Sequence, residues 1–175
     1  MIGNDIVDLA KAAKESNWKR KGFLNKVFTL TEQQLIFSCF EPNLIVWQFW
    51  SMKEAAYKAL SRNSVLLFNP FSFICSLDGM VDYMDHNFNT KTIVDGKRLH
   101  TVASNKQQNL EKINSYLGHN TKDYRTQFNL NNFDLELKKD GNGFPELLDK
   151  QTGIIYLASV SHHGRYLAVD YLNYC

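Results

Sequence analysis

The stretch LIVWQFWSMKEAAYKALS, Leu44 to Ser61, leaves the fold of this chain the least freedom. It contains no glycine or proline, and before Lys53 it is apolar on almost every face, through Leu44, Ile45, Val46, Trp47, Phe49 and Trp50. A helix that is apolar all round is a buried helix, so this one predicts a central position. Just beyond the aromatic run, Glu54 and Lys58 stand four positions apart on one helix face. An exposed pair in that order contributes only about 0.2–0.5 kcal/mol, and taken alone the salt-bridge reading is the simpler one. A pair that follows Trp47, Phe49 and Trp50 is partly shielded, however, and shielded charges need partners such as a cation or a phosphate.

The segments before this helix supply further signals. Residues 2–9, IGNDIVDL, read as a short strand, followed over residues 10–26 by a basic helical stretch carrying six Lys/Arg. FTLTEQQLIFSCF contains Thr29 and Glu32 at capping-box spacing, which predicts a helix from about Leu30 to Phe40, interrupted by Pro42. After residue 62 the character changes. FNPFSFICSLDGMVDYM, NTKTIVDGKRLHTVAS, NFDLELKKDGNGFPELL and GIIYLASVSHHGRYLAVDYL alternate and carry Asp-Gly turns, as antiparallel hairpins do. In the last of these, His162 to Arg165 are expected to form the turn. Residues 104–132 are polar, with one weak helical pattern near Asn109 to Leu117, and read as an insertion or mobile loop within a single domain, 1–175. The expected class is α+β, with an antiparallel sheet packed against the long buried helix.

Composition narrows the function. A hydrophobic content of 44% with 22% charged residues excludes wholesale disorder. A net charge of +2 gives no basic face of the kind that nucleic-acid binding needs, and no apolar run is long enough for a membrane helix. MIGNDIVDL shows no secretory pattern, and the scattered Cys39, Cys75 and Cys175 fit neither a disulfide framework nor a zinc site. A cytoplasmic protein is expected.

Several groups could carry chemistry. Asp5 lies mid-strand among apolar neighbours, and is either solvated at a strand end or a cation ligand; lone charges are mostly solvated. Asp8, three residues on, points to the opposite face of an extended strand. Ser161 and His162, at a strand end, could present a hydroxyl and an imidazole to an anion, or be ordinary turn residues. Gly143 and Pro145 make a tight turn, and the basic stretch Trp18 to Lys26 is either a solvated face or suited to an acidic partner.

The order of these pieces is more specific than any one of them. IGNDIVDL, FTLTE, WSMKEAAYKAL, GNGFP and ASVSHHGRYLAVDYL resemble the G-x-D-[IV], F-T-x-x-E, W-x-x-K-E-A-x-x-K-A, G-x-P and S-x-S-H elements of the 4'-phosphopantetheinyl transferase superfamily. Each element occurs once and S-H comes last, as in the compact holo-acyl-carrier-protein synthase type. The resemblance fades over residues 62–135. Asn4, Asp8, Ser61 and His163 depart from the usual pattern.

The resemblance implies transfer of phosphopantetheine from coenzyme A, the co-substrate, to a serine of an acyl carrier protein or peptidyl carrier domain, releasing adenosine 3',5'-bisphosphate. It implies Asp5 and Glu54 as Mg2+ ligands, with Glu54 also orienting or deprotonating the serine, directly or through a water. Lys58 would neutralise phosphate charge, Ser161 and His162 would hold the adenosine 3'-phosphate end, Gly143 and Pro145 would shape the nucleotide wall, and Lys53 would add a phosphate contact. The compact type implies a homotrimer with sites between subunits; a monomer closed by the longer middle region is the alternative. A non-catalytic relative that binds coenzyme A or a carrier protein is the competing function, and it has no need for Asp5, Glu54 and Lys58 together.

Overall fold

The computed structural model describes residues 1–62 and 66–173; Cys175 lies outside them. The elements run β1 (Ile2–Asp8), α1 (Leu9–Glu15), α2 (Phe23–Val27), α3 (Leu30–Ser38), α4 (Pro42–Ser61), β2 (Ile74–Cys75), β3 (Met80–Tyr83), β4 (His86–Asp95) and β5 (Arg98–Ser104). There follow α5 (Gln107–Leu110), β6 (Ile113–His119), α6 (Tyr124–Asn131), β7 (Leu135–Lys139), β8 (Pro145–Asp149), β9 (Ile155–His163) and β10 (Tyr166–Leu172). The class is α+β as expected, but the strands form two antiparallel sheets, ordered β1-β5-β4-β3-β2 and β6-β10-β9-β8-β7.

Helix α4 starts with Pro42 in its first turn, where the missing N–H would have had no helical partner. It buries Val46, Phe49, Met52, Ala56 and Ala59 against β1 and β5 and, with Phe28, Ile36, Phe73, Phe88 and Leu99, forms the core of the first sheet. The capping box at the start of α3 is present in full: Thr29 N–H donates to Glu32 Oε2 (2.8 Å) and Glu32 N–H to Thr29 Oγ1 (3.2 Å). The Asp95-Gly96 signal closes the β4–β5 hairpin, with Gly96 at φ 59°. A second core, under β7–β10, gathers Phe128, Leu137, Leu147, Tyr156 and Val169.

Three expectations need correction. The basic stretch 10–26 is two short helices, because Ser16 ends α1 in an extended conformation and Gly22 adopts φ 81° before α2. Residues 104–132 are not a loop: Ile113–His119 pairs along β10, and α6 buries Phe128 in the second core. The expected helix near 109–117 is therefore a turn of helix followed by strand. His162 and His163 belong to β9, and Gly164-Arg165 alone make the turn, with Gly164 at φ 57°.

Candidate active site

The site starts from a glycine. A Cβ on Gly3 would stand 2.1 Å from the carbonyl oxygen of Ala55 and 2.4 Å from the amide nitrogen of Ala59, so only glycine lets α4 lie this close to β1. Two residues further along β1, on the same face, Asp5 meets the part of α4 that carries Ser51, Glu54 and Lys58. Lys58 Nζ lies 3.8 Å from Asp5 Oδ1. No ion pair joins Lys58 to Glu54 among the described residues, so the i,i+4 pair of the sequence is a three-residue cluster with Asp5 at its centre.

Charge inside this cluster is poorly hydrated. Burial pushes the Asp5 carboxyl above its usual range, with Lys58 opposing. Burial, and then the neighbouring Asp5 carboxylate, push Glu54 up to about 7, again against Lys58. Ser161 Oγ is buried without a hydrogen-bond partner among the described residues, and Asp5 Oδ2 and Ser51 Oγ, although they lie beside each other, do not meet in well-formed hydrogen-bond geometry. Two shielded carboxylates, one with an orphaned oxygen, are a fit for Mg2+, which binds through one or two carboxylates and takes its other oxygens from water and phosphate. No group of three or more His, Cys, Asp or Glu able to hold a metal occurs among the described residues, so a cage made wholly of protein ligands is not what this site offers.

Lys53, expected as a phosphate contact, is not in the cluster. Its side chain is fully buried on another face of α4, with Nζ 2.8 Å from Glu32 Oε1 and donating to the carbonyl oxygens of Pro70 (3.0 Å) and Phe73. Glu32, the capping-box residue, also accepts from Cys75 N–H at 2.8 Å. Lys53 ties α4 to α3 and to the segment before β2, and has no donor left for a ligand.

The late motifs meet the site from the second sheet. Alternation along β9 splits the expected pair: Ser161 is buried, whereas the neighbouring His162 is exposed beside Tyr124, ring centroids 6.0 Å apart. Asp8 caps α1 through Ala10 and Lys11 N–H and lies 3.6 Å from Arg165 Nε. Against its burial, those backbone bonds and Arg165 hold its carboxyl below the usual range. Pro145 opens β8, and its carbonyl accepts from Arg62, which also donates to Ala158 O (3.0 Å). Pro145 is thus tethered to α4 one turn beyond Lys58. Gly143, at φ 86°, makes the open turn before it.

Gly3, Ser51, Arg62 and Tyr124 were not singled out by the sequence. Of these, Gly3 alone had a local signal, as the glycine of G-x-D. A cavity of about 900 Å³ opens elsewhere, lined by Leu9, Trp18, Lys19, Leu44, Trp47 and Lys97 among others, and none of Asp5, Glu54, Lys58 and Ser161 lines it.

Residues 1–107 match the sequence profile of the 4'-phosphopantetheinyl transferase superfamily, a span that includes Asp5, Glu54 and Lys58 and stops before Gly143 and Ser161. Comparison with curated proteins finds no match. Among solved structures, holo-[acyl-carrier-protein] synthase of Thermotoga maritima is similar over 88% of this chain and 83% of its own, at 10% identity and a TM-score of 0.43. The profile match covers more than half of the 175 residues, and the chain belongs to the 4'-phosphopantetheinyl transferase superfamily.

Proposed function

We propose that this protein transfers 4'-phosphopantetheine from coenzyme A to a serine of an apo acyl carrier protein or peptidyl carrier domain, in the manner of the compact holo-acyl-carrier-protein synthases. The observation that supports this reading is the cluster of Asp5, Glu54 and Lys58, half-buried where β1 meets α4, with one Asp5 oxygen left without a hydrogen-bond partner among the described residues.

In this reaction the serine oxygen forms a bond to the phosphorus that carries pantetheine. The bond from that phosphorus to the bridging oxygen breaks, and adenosine 3',5'-bisphosphate leaves with the electron pair. Glu54, which faces Asp5 and Lys58 where β1 meets α4, would take the serine proton, directly or through a water. Lys58, one helical turn from Glu54, faces the charge that builds up on the leaving phosphate. Phosphoryl transfer depends on such neutralisation and on in-line positioning more than on covalent help from the protein. Asp5 and Glu54 would hold Mg2+, which when bound neutralises the pyrophosphate.

Pro145 and Gly143 would form the nucleotide wall. His162, turned outward, would take the 3'-phosphate end of coenzyme A bound to its own or an adjacent subunit, in a homotrimer or a monomer. Ser161 would join it if its buried hydroxyl is opened by the ligand. Lys19, Arg20, Lys21 and Lys26 are exposed around the buried Trp18 and would meet the carrier's acidic helix. Free Cys39 and Cys75 support a cytoplasmic setting.

Chromatographic detection of adenosine 3',5'-bisphosphate tests the proposal. Release from coenzyme A is expected with an apo carrier protein and not with a carrier whose acceptor serine is alanine. Coenzyme A binding without release, across several carriers, would favour the non-catalytic binder.

A further inference from the structure

Strand β1 is paired through its backbone to β5 on one edge only. Its other edge runs beside β9 in the same direction, and there side chains take the place of a backbone ladder. Asn4 N–H donates to Ser159 Oγ at 3.1 Å, and Asp8 N–H donates to His163 Nδ1 at 2.9 Å. Both bonds span 155 positions, so Ser161, whose buried hydroxyl has no partner among the described residues, stands level with Ile6 between them. Alternate residues of β9 thus address alternate residues of β1, and Asp5 lies inside the gripped segment.

The grip is braced at both ends. Ser159 Oγ donates back to Asn4 Oδ1 at 2.8 Å, and Asn4 Nδ2 donates to Asp170, a carboxylate that also meets His100 Nε2 at 2.8 Å and accepts from Ser115. These groups join β1, β5, β6, β9 and β10 inside the protein. At the far end a Cβ on Gly164 would stand 2.5 Å from Asp8 Oδ2, so the β9–β10 turn closes directly on Asp8.

We infer that Ser159 and His163 are positioning residues that grip the backbone of β1 and fix where Asp5 stands opposite Glu54 and Lys58. The inference rests on the reading of Asp5 and Glu54 as the cation-binding pair. It assigns work to two residues of β9 other than the Ser161–His162 pair, and gives the histidine at 163 a role: its Nδ1 accepts from Asp8 N–H as the Ser159 hydroxyl accepts from Asn4 N–H.

The test compares His163→Phe, which keeps a ring without an acceptor, with His163→Asn, which keeps an acceptor, and adds Ser159→Ala. Mn2+ affinity in the presence of coenzyme A is read by paramagnetic resonance, β1 amide exchange by NMR, and unfolding by thermal melts. His163→Phe and Ser159→Ala are expected to weaken Mn2+ by about tenfold, the effect of losing roughly one hydrogen bond's worth of positioning. They should also speed exchange at Asp8 and Asn4 respectively, while His163→Asn stays within about twofold of the native protein. Unchanged Mn2+ affinity in His163→Phe and Ser159→Ala would overturn the inference. So would equal losses in the Phe and Asn variants that merely follow the melting temperature. Native Mn2+ binding that survives Asp5→Asn would instead overturn the reading of the pair, and the positioning role with it.

Discussion

At the scale of single residues, neighbouring positions on α4 have opposite fates. Glu54 and Lys58 face β1, whereas Lys53, next in sequence to Glu54, is turned into the core against Glu32. Removing one partner of a buried pair leaves the other charge uncompensated, at a cost of about 3–5 kcal/mol. Lys53→Met should therefore lower the melting temperature sharply while leaving the KM for coenzyme A within about twofold; a raised KM at unchanged stability would restore Lys53 to the phosphate site. Glu54 carries a pH signature. Its folded value of about 7 lies above the ordinary 4.5, so between those limits the folded state binds the extra proton, and stability falls as pH rises through that window. At most about 3 kcal/mol is involved. In EDTA, the melting temperature should decline more steeply from pH 5 to pH 8 in the native protein than in Glu54→Gln, and equal slopes would refute the shielded-carboxyl account. The sequence showed that Glu54 and Lys58 share a face. It could not show that Lys58 would pair with Asp5, because that contact crosses from one element to another.

At the scale of elements, what was legible depended on local signals. Helix α4 was readable from its all-round apolarity, the start of α3 from Thr29 and Glu32, and the β4–β5 hairpin from Asp95-Gly96. Strand β6 was misread because INSYLGH is polar and glycine-containing, and it is a strand only because β10 lies beside it. Helix α6 was missed for a related reason: among polar residues, Phe128 alone of its side chains is buried. The β1–α4 contact is the element pair on which the site depends. Gly3→Ala would force α4 away from β1, and overpacking of this kind costs about 1–3 kcal/mol. Thermal melts should show that loss, with activity falling further as Asp5 is separated from Glu54 and Lys58; a native melting temperature would mean that the close approach is not needed.

At the scale of the whole molecule, two sheets meet along β1 and β9, and the candidate site draws on distant parts of the sequence: Asp5 near the start, Glu54 and Lys58 from the central helix, and β9 near the end, whose Ser159 and His163 bond to β1. Sequence order alone suggested this assembly through the family resemblance, but the split of Ser161 from His162 across β9 was visible only once the strand was extended through both histidines. The exposed lysines around Trp18 belong to the same scale, since they concern a second protein. Lys19→Glu combined with Lys21→Glu should raise the KM for an acidic carrier several-fold while sparing that for coenzyme A, as expected of charges that steer association; an unchanged carrier KM would place docking elsewhere. The central claim is that the half-buried Asp5–Glu54–Lys58 cluster is catalytic, and intact-mass spectrometry of an apo acyl carrier protein incubated with this protein, coenzyme A and Mg2+ tests it most directly. A phosphopantetheine adduct that both EDTA and Glu54→Gln abolish is the predicted result. An adduct that persists undiminished in Glu54→Gln would contradict it.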